Sequence, residues 1–290
     1  MALRKGIQLC YPFSEGRLLT WKPPFLVQPK LDGERCRLLV ESGSRGYNRV
    51  ILLSSSEELI TSVPHLNEAG LRLPQGEYDG ELYVHGWTQS QIHSIVSRTT
   101  NISPNYSAVK FHIFDLVTED PQFLRLHKLS KIPHLVDPFF RVDSKVCYTL
   151  QELYTFYDEV IYEGYEGFVV RQVDSLYLRK RSKWLMKFKP KKTDVYPIWD
   201  VVEAVSEAGH PLGMVGAFWC RDSEGTPFKV GAGHLTHPQR RVWWKEFLDT
   251  GLKNYELEVE YQTFSSKEKV PLFSRALTVI PGEGLKMIIP

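Results

Sequence analysis

Short apolar and mixed runs with strand-like composition dominate the first two thirds of the chain. The clearest of them lie at positions 25–27, 36–40, 81–84 and 111–117. Because successive side chains of a strand point to opposite faces of a sheet, such runs predict strands with one buried face. The pattern therefore predicts a domain whose core is built from sheets.

Two helices are predicted by capping signals in their first turns. Thr88 and Gln91 have the spacing of a capping box and predict a helix over 88–98, and the same spacing predicts a second helix over 149–164. We expect the apolar stripe of the second helix to belong to the core rather than to a cofactor site. That stripe consists of Leu150, Leu153, Tyr154, Tyr157 and Ile161.

A second, smaller domain is predicted after residue 192. The chain has 290 residues, more than one domain usually holds, and Pro190 and Pro197 flank the start of a new set of short strands. We therefore expect domains at 1–192 and 193–290. Strands are predicted at 198–205, 214–220, 228–230, 255–264 and 277–280, with a helix that begins near Thr236 or His237. Five short strands and one helix match a small oligonucleotide-binding barrel.

The composition is that of an ordinary globular protein, with 42% hydrophobic and 24% charged residues. No apolar run approaches the roughly 18 residues of a membrane span, and the first residues lead into no secretory signal. The four cysteines lie far apart without a Cys-x-x-Cys spacing. We expect reduced thiols and an intracellular location, in a bacterium, an archaeon or a virus-infected host cell.

Positive charge is concentrated in one segment, although the net charge is only +2. Eight cations and no acid lie between 179 and 192, with Trp184 and Phe188 interleaved. This basic strip predicts a phosphate-binding surface, and a solvated basic face is the alternative. Its cations are Arg179, Lys180, Arg181, Lys183, Lys187, Lys189, Lys191 and Lys192.

The segment Lys30-Leu31-Asp32-Gly33-Glu34-Arg35 is the first candidate for chemistry. A lysine that follows a strand and Pro29, with an Asp-Gly turn after it, is expected at the mouth of a cleft. Taken alone, the segment is equally compatible with a hairpin corner that carries a surface Lys-Asp pair.

Four further segments follow in a fixed order. They are Asp79-Gly80-Glu81-Leu82, Phe111-His112-Ile113-Phe114-Asp115, Glu166-Gly167-Phe168-Val169-Val170-Arg171 and Lys187-Phe188-Lys189. Together with the Lys30 segment they resemble the covalent nucleotidyltransferase superfamily, and more narrowly its ATP-dependent DNA ligases. The resemblance covers residues 25–192 and continues more weakly through 228–233 and 257–262.

The resemblance implies an α+β fold and a reaction. The fold is an antiparallel-sheet nucleotidyltransferase domain, similar to that of ATP-grasp ligases, followed by a small OB-fold β-barrel. In the reaction, Lys30 takes AMP from ATP, AMP passes to a 5′-phosphate at a nick in duplex DNA, and the adjoining 3′-hydroxyl displaces it. Only 29 residues precede Lys30, so we expect a minimal, monomeric two-domain enzyme without a large helical DNA-binding domain.

Chemical reasoning assigns the lysines and carboxylates. A lysine amine becomes nucleophilic when nearby positive charge or desolvation lowers its pKa, and Lys187 and Lys189 are expected to supply such charge and to bind the triphosphate. A solvated strand edge is the alternative for that pair. Glu81 and Glu166 suit Mg²⁺, or Mn²⁺ in its place. By resemblance, Glu81 also contacts the ribose and Glu166 is the more direct metal partner.

The resemblance implies the remaining contacts. Phe114 stacks on the adenine, Gln28 faces the adenine edge, and Arg35 and Arg171 bind ribose or phosphate oxygens. The phosphates of DNA are expected to contact the part of the basic strip formed by Arg179, Lys180, Arg181, Lys183, Lys191 and Lys192.

Two departures from the family pattern concern cations. Ser55 stands where the family has an arginine for the 5′-phosphate of the nick, and Arg45 or Arg49 are the candidates to replace it. In the barrel, Arg275 is the candidate for orienting pyrophosphate, with Lys286 as a second cation.

Three alternatives stay open. An RNA ligase of the same superfamily more often has Ser-Leu where this chain has Glu34-Arg35, and an mRNA guanylyltransferase would use GTP. A catalytically silent nucleic-acid-binding module is the third, and it would have no need for a lysine nucleophile. His234 and His237 lack further partners at metal-ligand spacing, so we expect no histidine metal site.

Overall fold

The computed structural model describes residues 6–43, 47–133, 135–189, 191–261, 263–264, 270–272 and 274–282. The chain divides into two compact units, Met1–Lys189 and Pro190–Pro290. This division lies three residues before the predicted one. Lys192 is already the first residue of a strand of the second unit, which explains the difference.

The first unit contains two five-stranded sheets. The strands of the first sheet, in spatial order, are β1 (Leu9–Pro12), β10 (Arg181–Phe188), β9 (Phe168–Gln172), β2 (Phe25–Pro29) and β8 (Lys145–Cys147). Those of the second are β4 (Asn48–Ser54), β3 (Glu34–Ser42), β5 (Gly76–Tyr83), β6 (Lys110–Leu116) and β7 (Phe139–Arg141). The prediction of antiparallel sheets needs a correction, because β1–β10 and β6–β7 are parallel pairs at sheet edges.

Five α-helices connect the described strands of this unit. They are α1 (Glu15–Leu18), α2 (Pro64–Gly70), α3 (Gln89–Val96), α4 (Gln122–Ser130) and α5 (Leu150–Tyr162). The capping residues Thr88 and Thr149 start α3 and α5 as predicted, and each helix ends two residues before its predicted end. The other three helices were not predicted. No helix in the described part of the chain is long and apolar enough to cross a membrane.

The apolar stripe of α5 differs from the predicted one. The buried residues of this helix are Leu153, Phe156 and Val160, whereas Ile161 is 37% exposed. Their spacing of three and four residues places them on one face, which packs against β9 through Phe168. The stripe is therefore core, but the predicted set is only partly the buried one.

Alternation along the second sheet separates an apolar face from a charged one. Leu38, Leu82 and Phe111 lie on the face that packs in the core with α2 and α3. On the opposite face, Arg35 is paired across the strands with Glu81, and Glu81 with His112. Polar side chains two residues apart on a strand share a face, so the sequence Asp-Gly-Glu places both of its acids on the charged side.

A buried carboxylate joins the two sheets. Asp115 of β6 accepts hydrogen bonds from Arg125 of α4 at 2.8 and 3.1 Å and from Arg171 of β9 at 3.1 Å. Gln122 Nε2 and the backbone N–H of Leu116 complete the set of donors. Both Asp115 and Arg125 are 0% exposed, so this ion pair is fully removed from water. Such a pair is tolerable only because almost every polar atom has a partner.

The second unit is a closed five-stranded barrel. Its strands, in order around the barrel, are β11 (Lys192–Val205), β12 (Pro211–Arg221), β13 (Pro227–Gly231), β17 (Arg275–Pro281) and β14 (Tyr255–Tyr261). Helix α6 (His237–Thr250) lies between β13 and β14 in sequence and begins at His237, as predicted. Its first turn is closed by a capping box of Thr236 and Gln239. A two-stranded ribbon, β15 (Thr263–Phe264) and β16 (Pro271–Leu272), completes the unit.

We expect Arg125→Met to lower the free energy of unfolding by about 3 to 5 kcal/mol, because it leaves the buried Asp115 carboxylate without its bidentate partner. Urea unfolding of the variant and the wild type measures the effect. The control is Arg49→Met, which breaks an exposed ion pair with Glu41 and should cost at most about 1 kcal/mol. Equal losses in the two variants would contradict the importance of the buried pair.

Candidate active site

Lys30 lies immediately after β2, where the first sheet brings it beside the Glu166 segment. The backbone N–H of Lys30 donates to Gly167 at 2.8 Å, and the N–H of Glu166 donates to Lys30 at 3.1 Å. These two bonds continue the antiparallel pairing of β2 with β9. Two segments that are 136 residues apart in sequence are therefore held side by side.

The Glu166 carboxylate lies between two lysines. Lys30 Nζ contacts Oε2 and Lys189 Nζ contacts Oε1. The three side chains are only 20 to 25% exposed, so this cluster is half-buried rather than a solvated surface pair. The structure thus brings together three of the predicted site residues around one anionic group.

Positive charge accumulates at the end of β10. Desolvation lowers the pKa of Lys189 to about 8, and the charge of Lys30 acts in the same direction. Lys187 lies two residues earlier and is half-buried. Met186 is fully buried and Phe188 stacks on Phe168, so the alternation predicted for this strand is confirmed.

Two glycines allow the segments of the site to approach each other. A Cβ atom on Gly33 would overlap with the backbone oxygen of Leu82, and one on Gly167 would overlap with the backbone oxygen of Phe188. Gly167 also has a φ of +141°, which side-chain-bearing residues rarely adopt. A glycine is therefore required immediately before β9, where the backbone passes close to the end of β10.

Glu81 is a half-buried carboxylate on the charged face of the second sheet. Burial raises the pKa of this carboxyl to about 7, although the charges of Arg35 and Lys30 oppose the rise. Within the described residues its carboxylate makes no hydrogen bond or ion pair. An unengaged carboxylate beside positive charge is suited to accept hydrogen bonds from a ribose or to bind a cation.

Phe114 lies at an irregularity in the pairing of β5 with β6. Asp79 pairs with Asp115 and Gly80 with Ile113, so Phe114 is the extra residue. Bulges of this kind re-aim a side chain, and they are common beside functional sites. The ring is 9% exposed, and the guanidiniums of Arg35 and Arg171 lie 4.5 and 5.4 Å from its centroid.

Gln28, predicted to face the adenine edge, is 1% exposed and hydrogen-bonded inside the protein. Its Nε2 donates to the carbonyl of Phe114 and to Ser144 Oγ, each at 3.0 Å, and its Oε1 accepts from Arg171 Nε at 2.9 Å. These contacts position the Phe114 backbone. A direct contact between Gln28 and adenine stays a prediction, and it would have to displace one of these bonds.

The two predicted nucleotide-binding arginines are engaged by protein carboxylates. Arg35 binds Asp79 in bidentate geometry at 2.7 and 2.6 Å, and Tyr177 donates its hydroxyl to the same carboxylate at 2.5 Å. Arg171 is 4% exposed and donates to Asp115 and Gln28. Both guanidiniums are therefore engaged by protein groups, and their binding of ribose or phosphate oxygens stays a prediction.

A metal site is only partly assembled by the protein. Among the described residues, no group of three or more histidine, cysteine, aspartate or glutamate side chains lies close enough to hold a metal ion. Glu81 offers free carboxylate oxygens, whereas both oxygens of Glu166 contact lysines. The prediction that Glu166 is the more direct metal partner is untested, and its lysine contacts favour Glu81 in the ligand-free state.

The basic strip is not a row of free cations. Arg179 forms an ion pair with Glu77, Lys191 pairs with Glu260, and Lys192 lies over the Phe264 ring. Lys183 lies over the Trp184 ring at 4.8 Å. The exposed side chain of Lys180 has no partner in the described structure. The DNA-binding role of the strip stays a prediction.

The departures from the family pattern are resolved only in part. Ser55 follows β4 in a turn, beside Glu57, whose carboxylate binds the buried Arg37. Arg49 is exposed and pairs with Glu41, while Arg45 and Lys286 lie outside the described residues. Arg275 is exposed on β17 opposite Glu260, and nothing tests its assignment to pyrophosphate.

Sequence reasoning missed the residues that support the site. Arg125 and Gln122 lie on the unpredicted helix α4, and Tyr177 lies in a loop without a motif. Pro121, immediately before α4, was the available signal for the start of that helix. No local signal announces that Arg125 is buried, because its partner Asp115 is on a different strand.

Gly167→Ala should lower the free energy of unfolding by about 2 kcal/mol or more, because the new methyl group meets the Phe188 backbone at an unfavourable φ. Chemical denaturation provides the measurement. Gly16→Ala in α1 is the matched control, since open space and a helical backbone make it neutral or slightly stabilising. A neutral Gly167→Ala would refute the close-approach argument.

Glu81→Gln should stabilise the protein more at pH 8 than at pH 5. The pKa of Glu81 is raised to about 7 in the folded state, because burial favours the neutral carboxyl. The stability that the neutral carboxyl contributes is present at low pH and is lost as pH rises through 7. Removing the charge should therefore gain on the order of 1 kcal/mol or more at pH 8. Thermal or urea melts at the two pH values test this, and an equal effect at both would argue against a raised pKa.

Comparison with known proteins gives relatives of low identity. A DNA ligase of African swine fever virus (isolate Pig/Kenya/KEN-50/1950) is 26% identical over 221 residues, which cover 69% of this chain and 49% of the relative. A DNA ligase of Ignicoccus hospitalis is 27% identical over 244 residues, covering 72% of this chain and 39% of the relative. The chain thus spans about half the length, or less, of these curated relatives.

Solved structures show the same fold. A structure from a study of Lig E DNA ligases matches with a TM-score of 0.72 at 22% identity and covers 94% of this chain and 98% of that one. The ATP-dependent DNA ligase of bacteriophage T7, in complex with ATP, matches with a TM-score of 0.56 at 16% identity, covering 93% and 97%. At these identities the likeness concerns the fold.

The family model described as the ATP dependent DNA ligase domain matches residues 10–189. That range holds all five segments identified in the sequence and ends at Lys189, the last residue of the first compact unit. It covers more than half of the chain, from the Lys30 segment to the lysine pair at the end of β10. The chain belongs to the family of ATP-dependent DNA ligase domains.

Proposed function

We propose that the protein is an ATP-dependent DNA ligase that seals nicks with a 5′-phosphate and a 3′-hydroxyl through an AMP adduct on Lys30. The observation that carries this proposal is the contact of Lys30 and Lys189 with one Glu166 carboxylate. This places a candidate nucleophile, an acceptor for its proton and a second cation within one half-buried cluster. Family membership supports the same conclusion.

In the first step, Lys30 Nζ attacks the α-phosphorus of ATP. A nitrogen–phosphorus bond forms, the bond from the α-phosphorus to the bridging oxygen breaks, and pyrophosphate leaves. The proton of the lysine has an acceptor in Glu166 Oε2, which it already contacts. Lys189, together with Lys187, stabilises the charge on the phosphates. When the phosphates arrive, they replace Glu166 as the partner of Lys189, while Glu166 Oε2 stays beside Lys30.

In the second step, an oxygen of the 5′-phosphate at the nick attacks the phosphorus of the adduct, and Lys30 is released. In the third step, the 3′-hydroxyl attacks the activated 5′-phosphate, a phosphodiester bond forms and AMP leaves. Each step transfers a phosphoryl-type group, so the same cationic cluster serves all of them.

The carboxylates fit a magnesium ion held jointly with substrate phosphates. Glu81 has free oxygens, and Glu166 gains a free Oε1 when the phosphates take over Lys189. The bound ion supplies charge neutralisation for the phosphates, and Mn²⁺ has the same preference for oxygen ligands. The protein itself contributes the two carboxylates.

Adenine is proposed to stack on Phe114, with Gln28 at its edge. The ring is presented by the bulge in β6, and Arg35 lies over it at 4.5 Å. Stacking on that face requires Arg35 to move away from the ring, because its guanidinium, held by the buried carboxylate of Asp79, now lies over it.

The barrel is proposed to be an oligonucleotide-binding fold. Five strands close in the order β11-β12-β13-β17-β14, with α6 between the third and fourth in sequence. This agrees with the small five-stranded barrels that bind nucleic acid. We expect the barrel and the basic strip each to contact the phosphates of nicked duplex DNA, and we expect a monomer.

Incubation with labelled ATP and Mg²⁺, after bound AMP has been removed with pyrophosphate, should label the wild-type protein. The label should be released by acid and resist alkali, as a phosphorus–nitrogen bond does. Lys30→Ala should form no adduct, a loss of roughly 1,000-fold or more, because no other group replaces the nucleophile.

The control for this experiment is Lys22→Ala, which removes an exposed lysine of the same unit and should leave labelling unchanged. Sealing of nicked DNA compared with single-stranded RNA separates a DNA ligase from an RNA ligase, and GTP in place of ATP tests for a guanylyltransferase. Labelling of Lys30→Ala, or no labelling of the stripped wild type, would overturn the proposal.

A further inference from the structure

Two arginine side chains lie over one tyrosine ring at the edge of the first sheet. The Cζ atom of Arg17 lies 4.5 Å from the centroid of the Tyr11 ring, and that of Arg181 lies 5.5 Å from the same centroid. Arg17 belongs to α1, Tyr11 to β1 and Arg181 to β10, so three separate segments meet here. The ring packs against the apolar core of this sheet, which holds the two guanidiniums near each other.

Neither guanidinium has an acidic partner in the described part of the chain. Arg181 donates to the backbone oxygen of Cys10, and Glu15, the acid nearest to Arg17 in sequence, accepts the hydroxyl of Tyr154 instead. Six arginines discussed above, by contrast, pair with carboxylates. They are Arg35, Arg37, Arg49, Arg125, Arg171 and Arg179.

Two like charges this close to each other favour an anion. The two distances to the ring centre limit the separation of the Cζ atoms to about 10 Å, which is about the screening length at 0.1 M salt. Stacking on an aromatic face holds a guanidinium in place while its N–H edges stay available. Those edges match the oxygens of a phosphate group in bidentate geometry.

The neighbouring backbone extends the cationic surface. Cys10 pairs with Ser182 and Tyr11 with Met186, so three residues of β10 bulge out between these pairs. One of them is Lys183, exposed and placed over the ring of Trp184, which packs against Trp21. The bulge thus presents a third cation beside Arg181, again on an aromatic support.

We propose that Arg17, Tyr11 and Arg181 form a phosphate clamp that binds the backbone of the duplex away from the nick. The clamp rests on the proposed DNA ligase function and adds to it a contact site that includes Arg17 and Tyr11, which lie outside the basic strip. It binds phosphates without reading bases, because only backbone oxygens meet the two guanidinium edges.

The position of the clamp along β10 sets its distance from the reaction centre. Arg181 is eight residues before Lys189, which corresponds to at most about 26 Å along a strand. That span corresponds to roughly seven or eight base pairs of duplex. The clamp therefore lies within about eight base pairs of the nick, on one of its two sides.

The test is binding of a nicked duplex that lacks the 3′-hydroxyl, measured by fluorescence anisotropy over a series of salt concentrations. For Arg17→Ala combined with Arg181→Ala, we expect at least about tenfold weaker binding at low salt. We also expect a slope of log affinity against log salt that is reduced by about one for each lost contact. Formation of the lysyl-AMP adduct should be unchanged, because Lys30 does not use the clamp.

Matched variants separate the clamp from a general charge effect. Arg72→Ala combined with Arg141→Ala removes two exposed arginines of the second-sheet region, which have no ion pair within the described residues, and it should leave the slope nearly unchanged. The double Arg→Lys variant of the clamp should keep the slope while recovering only part of the affinity. Tyr11→Leu should weaken binding with both arginines still present.

Shortened substrates locate the contact. When one arm of the duplex is cut to about four base pairs, the difference between the wild type and the double alanine variant should disappear for one of the two arms. A clamp variant with normal affinity and slope, or a difference that persists with both short arms, would overturn the proposal. Failure of the wild type to form the adduct would instead overturn the proposed function, so the two failures are distinguishable.

Discussion

The buried carboxylate of Asp115 is the contact on which the rest of the first unit depends. It belongs to the second sheet, yet its donors come from α4 and from β9 of the first sheet. A charge without water is stable only when its partners are fixed, so this pair fixes the position of one sheet relative to the other. Through Arg171 and Gln28 the same network reaches the carbonyl of Phe114.

The candidate active site also places cations around one carboxylate, but its side chains are less buried than those around Asp115. The shared carboxylate of Glu166 offsets the repulsion between Lys30 and Lys189, and the side chains of both lysines stay partly exposed. Partners that are accessible can be exchanged for substrate phosphates at little cost, whereas the partners of Asp115 cannot. Glu81, whose pKa is raised to about 7 by burial, lowers the stability of the fold when its carboxyl is charged.

The arginines discussed above fall into two groups, those that pair with a carboxylate and those that stack on an aromatic ring. Arg35 and Arg171 stand at positions where the family pattern implies nucleotide contacts, but each is held by an aspartate of the second sheet. Within the described residues, Arg17 and Arg181 have no carboxylate partner, and they share an aromatic ring instead. An arginine that is already paired with an acid contributes to the architecture, and an arginine that is only stacked is available to a ligand.

The sequence by itself determined the local and the chemical features. Capping residues such as Thr88 and Thr149 place helices because their effect is confined to one turn, and the ordered motifs identify the residue types that phosphoryl transfer requires. Only the tertiary structure decided which partner each charge has. The pairing of Asp115 with Arg171, the burial of Gln28 and the contact of Arg181 with Tyr11 arise between segments that are distant in sequence, so no local pattern encodes them.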